Sequence, residues 1–263
     1  APSDPGILSV GGFNIQVFGR SKMRKEGVPE ILADVVERFD LLVIQEVRDI
    51  TGEAIVQLLD EVNAGTSDPY EMVLSDRLGR TSSKEQYALF YRPSKLSVLD
   101  QYHYADPLDE FEREPFLVRF QAVAGDHDFG VVALHADPDD VPAELAALED
   151  VLIEAEELWG EEDLMVIGDL NAGCSYLSDS EQDGLALWND IWYTSWIGDG
   201  EDTTVSGTWC PYDRIITAGA ATDLVVPGSA QTFFFDQAYE LGSAMSRKVS
   251  DHYPVEVLME VGE

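Results

Sequence analysis

A single domain holding two mixed β-sheets with helices packed against them is the fold this sequence predicts, on three observations. The chain opens strand, helix, strand, helix. It then runs through several short apolar segments separated by turns and free of helical periodicity. No linker, repeat or low-complexity segment divides its 263 residues. A hydrophobic content of 45% with 10% aromatics supplies apolar side chains for a large core.

Taken in order, residues 7–13 read as a buried strand with Asn14 at its end. Gly27 and Pro29 open a helix whose Val28, Ile31, Leu32, Val35, Val36 and Phe39 recur at i, i+3, i+4. Residues 41–45 form a continuous apolar strand ending in Glu46. Thr51 is the expected N-cap of a second helix, which buries Ala54, Ile55, Leu58, Leu59 and Val62. Antiparallel strands are expected at 70–74, 86–92, 96–104, 116–124 and 128–134. A third helix covers 142–159, and a short strand at 164–167 leads into Gly168-Asp169. The segment 171–208 is loop-rich around an apolar stretch at 188–196, and strands return at 212–217, 223–226 and 255–261.

The formal charge is −35 and the pI about 4.1. Such an excess repels nucleic acid and anionic membranes at long range in dilute buffer and strains the compact state. High salt relieves both, because the Debye length falls to about 3 Å at 1 M; a cationic partner is the other remedy. Lysines are confined to Lys22, Lys25, Lys84, Lys95 and Lys248, and carboxylates fill helix surfaces, as at Glu149-Asp150 and Glu154, Glu156 and Glu157. That pattern reads as salt adaptation. None of the 16 basic residues lies between Arg119 and Arg214, whereas Arg20, Lys22, Arg24 and Lys25 cluster, with Arg48, Arg77, Arg80, Lys84 and Arg113 following. The clustering fits ordinary solubility or a local anionic ligand.

No run approaches the ~20 apolar residues of a membrane span, and Ala1-Pro2-Ser3-Asp4 lacks the basic and apolar regions of a signal peptide. Cys174 and Cys210 are too few for a metal cage and could form one bridge, which points to an oxidising compartment and a secreted protein.

Asn14, Glu46, His135 and Asp169 share one situation, at or just past the C-terminal end of an apolar strand. Strand ends along one rim converge, so residues distant in sequence meet there. With Asn171, Asp213 and Asp251-His252 they would supply several oxygen ligands and two imidazoles, a set suited to a hard cation such as Mg²⁺, Mn²⁺ or Ca²⁺. Singly, each has an ordinary reading: Asp169 and Asn171 as turn residues, His135 as a core histidine, Asp251-His252 as a polar turn before the last strand.

The strings GGFNIQVFG (11–19), VIQEVRD (43–49), LGRTSSKEQYALFYRP (78–93), REPFLVRF (113–120), VALHADP (132–138), IGDLNAGCSY (167–176), YDRI (212–215) and SDHYPVEV (250–257) run in the order found in the deoxyribonuclease I family. The resemblance covers nearly the whole chain. Pieces as short as GDLN or SDH indicate only the wider superfamily of metal-dependent phosphodiesterases and phosphatases. FNIQVFG and GDLNAGCSY, with both cysteines in place, point to the deoxyribonuclease I branch.

The resemblance implies an α/β (α+β) four-layer sandwich over residues 1–263, two packed mixed β-sheets flanked by helices. It implies a secreted endonuclease that cleaves double-stranded DNA to 5′-phosphate products with little sequence specificity. By that match Glu46 binds a catalytic Mg²⁺ or Mn²⁺, with Asn14, Asp169, Asn171 and Asp251 completing the metal and phosphate site. His135 and His252 are the acid/base pair, oriented by Glu85 and Asp213, and Arg48, Arg80 and Arg113 contact DNA. Asp202, Thr204, Ser206 and Thr208 match one structural Ca²⁺ site; Asp109, the Phe111 carbonyl and Glu114 match another.

Three departures bear on these expectations. Ser83 stands where the family has an aromatic residue used in the DNA minor groove, so shape preference is weaker or different. The loop between Tyr104 and Phe111 is shorter and lacks the family's small second disulfide, which bears on the ion site near Asp106. The aliphatic and aromatic actin-contact surface around residues 72–74 is not reproduced, so actin binding is not expected; separately, the chain is expected to be a monomer. Two other readings stand beside the nuclease: a same-fold phosphatase or phospholipid phosphodiesterase, which the acidic surface favours, and a catalytically silent binding protein, against which both histidines speak.

Overall fold

A computed structural model describes residues 6–125, 127–160, 163–205 and 207–262. In chain order the elements are β1 (Ile7–Phe18), α1 (Arg20–Met23), α2 (Val28–Val36), β2 (Leu41–Val47), α3 (Glu53–Asn63), β3 (Glu71–Leu74), β4 (Gln86–Tyr91), β5 (Leu96–His103), β6 (Phe116–Ala122) and β7 (Asp128–Ala133). There follow α4 (Val141–Trp159), β8 (Leu164–Asp169), α5 (Asp179–Gln182), α6 (Ala186–Asn189), β9 (Tyr193–Ser195), β10 (Asp213–Ala218), α7 (Ala221–Leu224), β11 (Gln231–Thr232), α8 (Phe235–Ala238), α9 (Ser243–Val249) and β12 (Val255–Glu260).

The strands form two six-stranded sheets, ordered β11-β12-β1-β2-β4-β3 and β5-β6-β7-β8-β10-β9. Each is mixed, because β1 pairs with β2 and β7 with β8 in parallel while their other neighbours are antiparallel. Side chains alternate across a strand, so β1 and β2 serve two cores. Leu8, Val10, Leu41 and Val43 pack between the sheets, against Val131 and Ile167 of the other sheet. Phe13, Ile15, Leu42 and Ile44 pack with Leu32 of α2, Ile55 of α3 and Val249 of α9. On the far side Leu145, Leu148 and Leu152 of α4 cover Val132 and Val166. Four layers result, helices outside and sheets inside. The close stacking explains Gly11-Gly12: a Cβ on the first would overlap the Phe39 ring and the Val255 carbonyl, and one on the second the Ile167 side chain.

Several expectations are corrected. β1 does not stop at Phe13 but continues past Asn14 to Phe18. Thr51 is not the N-cap of α3; Gly52 occupies that position, and Asp49 does the capping, its Oδ2 accepting the Ala54 N–H at 3.0 Å and the Thr51 hydroxyl at 2.8 Å. The strand expected at 223–226 is instead the end of α7 followed by a single bridge from Val225 to Met259. Three small elements, α1, α8 and β11, carry too few residues for a periodic signal.

Candidate active site

One rim of the stacked sheets gathers the polar residues, and a bulge in β1 shapes it. The pairing of β1 with β2 breaks after Asn14 opposite Gln45 and resumes at Phe18 opposite Val47. Within the gap Gln16 and Val17 have φ of 28° and 49°, facing Glu46 at 58°. Such values are costly for residues with side chains, most of all for a β-branched one, and persist where surrounding bonds hold them. Here they do: the Gln16 N–H donates to Asn14 Oδ1 at 2.9 Å, the Val17 N–H to Glu46 Oε2 at 2.7 Å, and Gln16 Nε2 to Asp251 Oδ2 at 2.6 Å. One bulge thus ties Asn14, Glu46 and Asp251 together.

Asp169, at the end of β8, is the centre. Its N–H donates to Gln45 Oε1 at 2.8 Å, while Gln45 Nε2 donates to the Leu134 carbonyl at 2.5 Å. Its Oδ2 accepts Asn14 Nδ2 at 2.9 Å and its Oδ1 the Asn171 N–H at 3.1 Å; Asn171 Nδ2 donates to the Ala136 carbonyl at 2.9 Å. Gly168 permits this close crossing, since a Cβ there would run into the Leu134 carbonyl and the Gln45 amide.

Two histidines face Asp169 from opposite partners. His135 has Nδ1 2.8 Å from Glu85 Oε2 and Nε2 3.7 Å from Asp169 Oδ2. His252 has Nδ1 2.7 Å from Asp213 Oδ2 and Nε2 3.5 Å from the same Asp169 oxygen. A carboxylate on Nδ1 fixes the N–H there and presents Nε2 to whatever enters between the rings. Burial draws His252 toward the neutral form, but Asp213 and Asp169 outweigh it and its pKa is pushed up to about 10. Burial acts likewise on His135, yet the hydrogen bond its Nδ1 makes to the Glu85 carboxylate, together with the charges of Asp169 and Glu85, outweighs it, and the pKa is raised above the ordinary imidazole value. Burial also works against ionised Asp169, but His252 and His135 hold its carboxyl below the usual range.

The donor set suits a cation. Asp169, Asp213 and His252 each bring a ligand atom within 4.8 Å of the others. Asp213 Oδ1 and Asp251 Oδ1 are buried without a hydrogen-bond partner, so carboxylate oxygens are left over after the protein's own bonds are made. Asp213 already holds His252 at 2.7 Å, which leaves the Asp251 oxygen as a carboxylate oxygen that could ligate a metal.

The arginines differ in place. Arg80 is exposed, with Nε 2.8 Å from Asp109 Oδ1, and Arg48 contacts the Ser83 hydroxyl. Arg113 is buried beneath His135, donating from Nε to the His135 carbonyl at 3.0 Å, with Glu85 at 3.8 Å. Of the first calcium set, Thr204 Oγ1 lies 2.9 Å from Asp202 Oδ1 and 2.6 Å from the Thr208 carbonyl, while Ser206 lies outside the described residues. Of the second, Glu114 Oε2 is buried without a hydrogen-bond partner and Asp109 is engaged by Arg80. Cys174 and Cys210 are joined in a disulfide that closes the loop preceding β10.

Sequence reasoning missed several supporting residues. Gln16 Nε2 donates to the Asp251 carboxylate, Gln45 Oε1 accepts the Asp169 backbone N–H, the Tyr87 hydroxyl accepts the His135 backbone N–H at 3.0 Å, and Ser250 Oγ donates to the Asn14 carbonyl at 2.6 Å and accepts the His252 backbone N–H at 3.1 Å. Buried Lys22 donates to the Ile15 and Val249 carbonyls at 2.8 and 2.7 Å, and burial pulls its pKa down to about 8. Lys22 was visible only as one of the basic cluster at 20–25, and the only signal of the others was adjacency to the polar residues singled out.

Glu144 of α4 buttresses this rim. Its Oε1 accepts the Glu112 N–H at 2.7 Å and its Oε2 the Asp137 N–H at 3.1 Å, but burial prevails and pushes its pKa up to about 7 from 4.5. The folded chain therefore keeps this proton where the unfolded chain releases it, so Glu144 lowers stability as pH rises from 4.5 to 7, by on the order of 3 kcal/mol. Urea unfolding of Glu144→Gln against the parent chain at pH 4.5 and 7 checks it: the parent should lose more stability than the variant, and equal losses contradict the assignment.

The Endonuclease/Exonuclease/phosphatase family pattern matches residues 11–252. Deoxyribonuclease-1 of Homo sapiens is 42% identical over 260 residues, 96% of this chain and 92% of the human protein. Deoxyribonuclease-1 of Bos taurus is 41% identical over 259 residues, 96% of this chain and 92% of the bovine one. Among solved structures, an endonuclease/exonuclease/phosphatase family protein from Bacteroides thetaiotaomicron superposes with a TM-score of 0.68 at 17% identity, over 96% of this chain and 97% of that one. The human Nocturnin catalytic domain with bound sulfate superposes with a TM-score of 0.67 at 15% identity, over 96% and 94%. At such identities these two speak to the fold alone.

Proposed function

The chain belongs to the endonuclease/exonuclease/phosphatase family as a deoxyribonuclease I-type phosphodiesterase that hydrolyses DNA, and from that premise we propose a secreted, divalent-metal-dependent endonuclease of one domain, active at high salt. The observation that carries the reading is the pair of carboxylate-backed imidazoles whose Nε2 atoms face one Asp169 oxygen at 3.7 and 3.5 Å. Binding alone does not require that arrangement; proton transfer on both sides of a phosphate does.

Hydrolysis adds water across the P–O3′ bond of double-stranded DNA, leaving a 5′-phosphate and a 3′-hydroxyl. One Nε2 takes the proton of the attacking water, and the other Nε2 gives a proton to the departing O3′. Glu85 and Asp213 hold the rings and stabilise the imidazolium. Asn14 and Asn171 stand beside Asp169, where a phosphate oxygen would meet their amides, and exposed Arg80 with Arg48 lies on the DNA side. Glu46, Asp169 and Asp251 are the residues that would hold Mg²⁺ or Mn²⁺, which would draw off charge growing on the phosphate oxygens. The oxygens of Asp202, Thr204 and Thr208, and of Glu114 with Asp109 and the Phe111 carbonyl, are assigned to structural Ca²⁺. Secretion is supported by the Cys174–Cys210 bridge. Among the described residues no helix is long and apolar enough to cross a membrane.

High-salt activity follows from charge. Arginine–phosphate contacts weaken with salt, but a −35 background repels DNA most strongly in dilute buffer, and screening removes that repulsion. Plasmid nicking with Mg²⁺ across a NaCl series should rise from dilute buffer and persist near about 1 M. A maximum in dilute buffer with no activity at about 1 M contradicts salt adaptation. Small phosphomonoesters and sphingomyelin assayed alongside should be poor substrates; preference for either moves the reading to a phosphatase or phospholipid diesterase.

A further inference from the structure

At the opposite end of β10 from Asp213, the molecule keeps apolar side chains in solvent despite its acidic surface. Ile191 is 95% and Trp192 65% exposed, just before edge strand β9. Trp192 stands between two adjoining clefts of about 200 and 320 Å³ that share Gly219. Ile153, Tyr193 and Glu156 line the first, and Thr194 and Asp223 the second. Asp190 Oδ1 accepts the Trp192 backbone N–H at 3.1 Å, which fixes the turn that carries this side chain. Neither cleft has a basic lining residue, and no Lys or Arg occurs in the sequence between Arg119 and Arg214.

We propose that this cleft pair is a docking site for a basic polypeptide segment, one arginine or lysine stacking on Trp192 between the carboxylates of Glu156 and Asp223. A cation over an indole face beside carboxylates gains both quadrupole attraction and charge pairing. An apolar neighbour of that cation would cover Ile191, and no strand among the described residues lies on the outer edge of β9, so an extended segment can run along it. A free polyamine offers the charge but neither the apolar side chain nor a backbone for that edge. The site is separate from catalysis: Ala218 is 218 − 213 = 5 residues from Asp213 along β10, roughly 17 Å at strand rise.

The test uses the whole chain and a fluorescent peptide alternating arginine with leucine, titrated in low and high salt. Trp192→Ala should weaken binding at least about tenfold, as should Glu156→Gln with Asp223→Asn. The charge-matched pair Asp60→Asn and Glu61→Gln, on α3 in the other helix layer, should leave binding unchanged. Plasmid nicking should be unaltered in every variant, which keeps this proposal distinct from the nuclease reading and reports that the variants fold. Equal binding by Trp192→Ala, or equal losses from the α3 pair, overturns the proposal as mere attraction to an acidic surface. Spermine binding as tightly, with the same dependence on Trp192, overturns the polypeptide assignment.

Discussion

Plasmid nicking by His252→Ala falls by about 10²–10⁴-fold, the range for removal of a general acid or base. The imidazole is held at both ends, by Asp213 at 2.7 Å on Nδ1 and by the field of Asp169 at 3.5 Å on Nε2. Water filling the vacated space restores neither the proton nor its direction. His135→Ala produces a loss in the same range, and the double variant is little worse than either single one, because the two act on one transition state. Asp213→Asn is the finer probe. It removes the leading charge that raises His252 and offers an amide where a carboxylate fixed the tautomer, so the limb of the pH–rate profile that reports His252 shifts to lower pH, the acid limb if this ring is the base and the alkaline limb if it is the acid, while the maximal rate falls. Parent-like nicking by either alanine variant contradicts the assigned roles.

Gly168→Ala abolishes nicking and destabilises the chain, the second large effect. The added Cβ has backbone on one side and the Gln45 amide on the other, and backbone cannot rotate away. Relief requires β8 to part from the Leu134 segment. That separates Asp169 from Gln45, and with Asp169 goes the contact of both histidines. Overpacking of this kind costs about 1–3 kcal/mol or more, and the activity loss exceeds it because the displaced residue is the hub. Thermal melting and plasmid nicking of one preparation check both parts; an active variant with an unchanged melting temperature contradicts the geometry. Gly65→Ala, where nothing lies within 4 Å, is the matching control.

These two predictions show where sequence reading was strong and where it ended. Runs such as 41–45 and 164–167 announce strands buried on both faces, and α2 and α3 announce themselves by period, because burial writes itself into residue type at fixed spacing. Strand ends then locate polar residues, which is why Glu46, His135 and Asp169 stood out singly. Their mutual placement was carried by the family resemblance, since a sheet order with crossovers cannot be read from local pattern. The β1 bulge was invisible: Gln16 and Val17 look like ordinary strand residues, and only the register break turns them toward Glu46 and Asp251. The N-cap at Thr51 misled for a related reason, since Asp49 takes the Ala54 N–H from farther back and leaves the Thr51 hydroxyl only the Glu53 N–H at 3.4 Å. Ser83 was visible as a departure, and its contact with Arg48 shows the space being used by a polar pair.

Metal-dependent cleavage of DNA at the site around Asp169 is decided by supercoiled plasmid incubated with Mg²⁺, with and without a chelator. Conversion to nicked circles bearing 5′-phosphate ends is expected, stopped by chelation and restored by excess Mg²⁺. Undiminished nicking in the chelator, or intact plasmid in Mg²⁺ under every salt condition, contradicts it.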